Sequence, residues 1–71
     1  MNAVLKLNHL GRDNWERPVY ENDGRLYVDV DPRSNRAPDI CTKNNNEFYG
    51  EPDTPIPDNV TVEFIPARDT W

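Results

Sequence analysis

Apolar and polar side chains alternate along three stretches of the chain, with the two-residue period of strands whose faces differ in exposure. From Ala3 to Leu10, the residues Ala3, Leu5 and Leu7 point one way and Val4, Lys6 and Asn8 the other, which predicts a half-buried first strand. Gly11-Arg12-Asp13-Asn14 reads as a turn, and Trp15 follows as a large residue placed to cap one end of a core. From Asn59 to Pro66, Val60, Val62 and Phe64 share a face opposite Thr61, Glu63 and Ile65, which predicts a last strand. The strongest local signal lies between them, from Trp15 to Asp31. There two runs rich in β-branched and aromatic residues flank Asn22-Asp23-Gly24 and predict a β-hairpin.

Two hairpin registers compete. A loop of Asp23-Gly24 alone sets Glu16 against Asp31 and Arg17 against Val30, a like-charge pair and a cation on an apolar face. A loop of Asn22-Asp23-Gly24, closed by Gly24 as a bulge, pairs Glu21 with Arg25, Tyr20 with Leu26, Val19 with Tyr27, Pro18 with Val28 and Arg17 with Asp29. At about 0.2–1 kcal/mol per favourable cross-strand pair, the second register is the expected one. It puts Tyr20, Leu26, Val28 and Val30 on the core face and Arg17, Val19, Tyr27 and Asp29 on the other.

The remaining segments read as follows. Asp31 to Pro38, bracketed by prolines, predicts a surface loop, and Asp39 to Lys43 a short strand with Ile40 and Thr42 opposite Cys41. Asn44-Asn45-Asn46 ends that strand. Glu51 to Asp58 carries Pro52, Pro55 and Pro57, which impose an extended, polyproline-like path of the kind that wraps a domain surface. The expected fold class is all-β, a small antiparallel sheet centred on the hairpin 16–30 and curled towards an SH3-like partial barrel.

Composition narrows the functions open to such a sheet. The chain has 71 residues, read as one small domain, 1–71; a domain of that size buries only about 60% of its extended surface, too little for a deep cofactor pocket. Cys41 is the one cysteine and His9 the one histidine, so neither an internal disulfide nor a zinc site of such ligands can form. The net charge of -5 resides wholly in the second half, where residues 39–71 carry two cations against seven acids. That imbalance argues against direct nucleic-acid binding, which needs cations for phosphates, and favours a basic protein partner or none. Lys6, Asn8 and His9 interrupt the first apolar run, unlike an export signal, and no run approaches the roughly 20 residues of a membrane span. A cytoplasmic protein with no membrane partner is expected.

Candidate chemistry is sparse. Asp29, Asp31, Asn35 and Asp39 resemble the start of a calcium loop, but Arg33 takes the third ligand position and no mid-loop glycine follows. Solvated charges, with Asp29 paired to Arg17, are the simpler reading. Cys41 and His9 would make a nucleophile and base, yet a lone cysteine on a strand reads as a small buried hydrophobe. Ser34 lies in a loop without the glycines of a nucleophile elbow. The expectation is therefore no enzyme, no cofactor and no metal. The tract Phe48 to Pro57 is the best suited to recognition, because aromatic and proline surfaces present rigid apolar area; alternatively, Phe48 and Ile56 close the core and the prolines stiffen the crossing. Trp71 either docks on the sheet or frays.

The combination of Gly11 to Tyr20, Gly24 to Val30 and Gly50 to Ile56 resembles a family of small domains that occur alone or within large polyvalent proteins of phages and bacterial conjugative elements. The likeness rests on turn and core residues, and it implies a bacterial or phage accessory protein without supplying a site. The expected function is a protein-interaction or accessory module whose contact surface is Arg17, Val19, Tyr27 and Asp29 with Tyr49. The alternative is an acidic inhibitor that mimics nucleic acid and occupies a host DNA-binding protein.

Overall fold

A computed structural model describes residues 3–71; Met1 and Asn2, part of the expected domain, lie outside them. The fold is all-β, as the alternation predicts. Its strands are β1 (Ala3–Arg12), β2 (Pro18–Asn22), β3 (Arg25–Asp29), β4 (Ile40–Lys43), β5 (Pro52–Pro55) and β6 (Val60–Ile65), with one 3-10 turn at Asn44–Asn46. They form a single open sheet in the order β5-β4-β3-β2-β1-β6. No helix among the described residues is long and apolar enough to cross a membrane.

Several expectations about pairing are corrected. The sheet is not purely antiparallel, because after β5 the chain crosses to the far edge and lays β6 parallel to β1, with Leu5 beside Val62 and Leu7 beside Phe64. The proline tract likewise does not simply wrap the surface. Pro52–Pro55 pairs with β4, and the Thr42 hydroxyl accepts from the Thr54 amide at 3.2 Å where the register between the two strands shifts.

The hairpin register is the two-residue one. Val19 lies opposite Val28, Tyr20 opposite Tyr27, Glu21 opposite Leu26 and Asn22 opposite Arg25. Asp23 and Gly24 both have positive φ, 49° and 82°, the conformation of a type I′ turn whose twist matches that of the strands. The unfavourable pairs that weighed against this register never form, since the β2–β3 ladder stops at Val19 and Val28. Arg17 turns instead to Asp13, 3.4 Å away, and Asp29 to Arg68, 3.1 Å away, so the expected Arg17–Asp29 pair is absent. Asn46 strengthens the hairpin end: its side chain accepts from the Leu26 amide at 2.7 Å and donates to the Gly24 carbonyl at 2.9 Å, continuing the pairing of β3 beyond β4.

Both faces of the sheet centre are covered. On one, Leu7, Tyr20 and Ile40 form the core with Leu5, Tyr27, Ile56, Val62 and Phe64 packed against them. The C-terminal segment crosses this face, where the Asp69 amide donates to the Tyr20 hydroxyl at 2.9 Å. On the other face Val19 and Val28 are wholly buried, beside Cys41. The segment after β4 folds back here, with Asn44 bonded to the Glu51 carbonyl and Phe48 lying against Gly11. Trp15 caps no core; it is exposed, with the Arg17 guanidinium 4.8 Å from its ring centre.

Candidate interaction site

Most of the chain's distinctive charged groups hold the fold together. Asp13 accepts from Lys43 Nζ at 2.7 Å and from the amides of Trp15 and Arg17. Burial pushes its carboxyl up, but Lys43 and those amides outweigh burial and hold it below the usual value. Asp29 accepts from the amides of Asp31 and Asp39 and, at 3.1 Å, from Arg68 Nε. Arg68 donates further to the carbonyls of Arg36, Asp31 and Arg33, so a single guanidinium fork ties the tail to the 31–39 loop. Asp69 binds Arg12 through both oxygens and lies 3.0 Å from His9 Nε2. Arg12 first, then His9, lowers its carboxyl despite some burial.

These placements separate the candidate catalytic groups. His9 lies opposite Tyr20 on the face crossed by the tail, whereas Cys41 pairs with Val28 on the other. Burial, with Asp39 and Asp29 nearby, raises the Cys41 thiol, the direction that weakens a nucleophile at neutral pH. Asp29, the carboxylate that would begin a calcium loop of the kind the spacing argues against, is turned inward to Arg68. Among the described residues, no group of three or more His, Cys, Asp or Glu is placed to hold a metal ion.

The five residues expected to form a contact surface are not brought together. Val19 and Asp29 are fully buried and point to opposite faces, because residues opposite each other share a face and Val19 faces Val28 while Tyr20 faces Tyr27. Tyr27 packs against the core, Arg17 is mostly buried beside Asp13 and Trp15, and only Tyr49 is broadly exposed. The expected face rested on the three-residue loop and disappears with it.

What the structure leaves open is an edge and a groove beside it. β6 ends the sheet order, and among the described residues its backbone pairs with no strand but β1. The opposite edge, β5, begins and ends with proline, which lacks the amide that strand addition needs. Residues of β6 and of the start of β4 line a cavity of about 320 Å³. Its apolar lining includes Ile40, Ile56, Val60 and Val62, and the Ile56 amide donates to the Ile40 carbonyl at 3.1 Å to hold the crossing in place. Asp39 and Asp58 also line it; both are exposed, and neither forms an ion pair among the described residues.

No family model matches the chain, and no curated relative or solved structure matches it. The groove is therefore read from its own geometry. Sequence reasoning found part of it, since Pro55, Ile56 and Pro57 belong to the tract singled out for recognition. It missed Asp39 and Asp58, which line one cavity only because the chain crosses the sheet between β5 and β6.

Proposed function

We propose that this chain is a non-enzymatic protein-interaction or accessory module, of the bacterial or mobile-element kind its sequence resembles, and that it binds by accepting a partner strand on β6. The observation that carries this reading is the asymmetry of the sheet edges. β6 offers six consecutive residues without proline, alternating half-buried and exposed, whereas β5 is closed by proline at both ends. An extended segment added to such an edge gains main-chain hydrogen bonds, and its alternate side chains supply selectivity. A non-enzymatic role is further supported by the engagement of His9, Asp13, Asp29 and Asp69 in ties that hold the fold.

Nucleic-acid mimicry draws no specific observation to itself: of the seven acids of residues 39–71 Asp69 is neutralised by Arg12, and Asp13, Asp29 and Asp31 outside that half are likewise paired with cations of the domain. The test is capture of a partner from a bacterial lysate followed by amide exchange on the complex. Slowed exchange across residues 60–65 is expected. Protection confined to another surface, or no partner at all, overturns the reading.

A further inference from the structure

We infer that the groove beside β6 selects a basic partner segment, one that places an apolar side chain against Val60 and Val62 and a lysine or arginine two residues away against Asp39 and Asp58. This rests on the strand-addition reading above and specifies its partner. A strand paired to β6 sends every second side chain to the face that carries Val60 and Val62, because strand side chains alternate. Those side chains therefore arrive over the groove, and residues two apart share it.

The chemistry of the lining sets what is accepted. Ile40, Ile56, Val60 and Val62 offer apolar contact, and Asp39 and Asp58 offer two carboxylates without an internal cation. Charge complementarity thus favours a segment alternating as apolar, any residue, cation. At about 320 Å³ the cavity stands at the lower bound of the roughly 300–1,000 Å³ typical of small-molecule sites, and it suits one or two side chains. A second copy of this chain fits poorly. Each molecule carries -5, and pairing two β6 strands would bring together two segments that each include Asp58 and Glu63.

The probe is a labelled synthetic peptide, Thr-Val-Thr-Lys-Thr-Val-Thr, titrated against the full chain by fluorescence anisotropy at low salt. Two comparison peptides carry Glu or Thr in place of Lys. The lysine peptide should bind at least tenfold tighter than the glutamate peptide, lose that advantage at high salt, and lose it also against the double variant Asp39→Asn/Asp58→Asn. Both substituted residues are exposed, and circular dichroism verifies that the variant is folded. Methylating alternate peptide amides, in the phase that faces β6, should abolish binding. Equal binding of all three peptides overturns the charge selection and leaves the strand-addition reading standing. Binding of none overturns both, and binding that survives methylation in both phases overturns pairing to the edge. Concentration-dependent dimerisation that excludes the peptide assigns the edge to a second copy and overturns the inference.

Discussion

Lys43 donates to Asp13 across 2.7 Å, and neither side chain has any exposed surface. The pair joins the β1–β2 connection to the end of β4, and Lys43 also donates to the Gly50 carbonyl at 3.0 Å. Removing one member leaves the other buried and charged, which costs about 3–5 kcal/mol in comparable pairs. At about 0.05–0.15 kcal/mol of stability per residue, that is a large part of what a small domain has. Lys43→Met should therefore leave the domain largely unfolded in urea concentrations that the parent tolerates. Replacing both members, Asp13→Leu with Lys43→Met, should recover much of the loss.

Acid should unfold this protein in a defined direction. Asp13 and Asp69 both titrate below their ordinary value in the fold, so each binds a proton less readily folded than unfolded. Their contribution is complete above the unfolded carboxylate value, about 3.9, and is lost as pH falls through the lowered folded values. Unfolding free energy measured by urea titration should hold level from neutral pH to about 5 and fall below about 4. Asp69→Asn should flatten that fall.

Arg68 tests how the tail is held. Its guanidinium serves Asp29 and three carbonyls at once, a fork that a lysine ammonium cannot reproduce. Arg68→Lys should destabilise by about 1–3 kcal/mol, and Arg68→Ala by more, since it strands the buried Asp29 carboxylate. Faster amide exchange at Asp31 and Asp39, whose amides bond to Asp29, distinguishes loss of this tie from general loosening.

Gly50 is fixed by space. A Cβ there would sit 2.5 Å from the Asn44 carbonyl oxygen, which is backbone and cannot swing aside. Gly50→Ala should shift the 44–51 segment, disturb the carbonyl that Lys43 uses, and lower the midpoint of thermal unfolding. An unchanged midpoint would show that this segment bends at no cost. Gly24→Ala, with open space around it but φ of 82°, should cost only its backbone strain, of the order of 1 kcal/mol.

Cys41 should resist alkylation in the folded protein and react on denaturation, because burial raises its thiol and its side chain faces Val28. Mass spectrometry after a timed iodoacetamide pulse reads the difference.

What was legible in the sequence was local. Alternation at Ala3, Leu5 and Leu7, and at Val60, Val62 and Phe64, located β1 and β6 and the faces that Leu7 and Phe64 use. It carried nothing about their parallel contact, because period-two patterning reads the same in either direction. The hairpin was found but shifted by one residue. Glu16, Arg17, Val30 and Asp31, whose poor pairs disfavour the two-residue loop on sequence grounds, lie beyond the last paired residues. Both hairpin faces carried apolar residues for a reason only the fold supplies, since the tail covers Tyr20 and the chain after β4 folds back over the opposite face. Arg68 with Asp29, and Lys43 with Asp13, are joined across distances in sequence that leave no periodic trace. The groove was half visible, as an apolar and proline-rich stretch; its carboxylates come from separate loops that only the crossing assembles.

The parallel contact of β1 with β6 also bears on the order in which the chain can fold. Ala3 finds its neighbour only at Val60, so the N-terminal half of β1 gains a partner strand only when β6 docks, and closing so long a loop is entropically slow. Before that closure β1 is itself the edge of the sheet, next to β2 on one side and with Leu5 and Leu7 unprotected by Val62 and Phe64 on the other. The open edge of the finished sheet thus replaces another, which β1 presents whenever β6 is undocked.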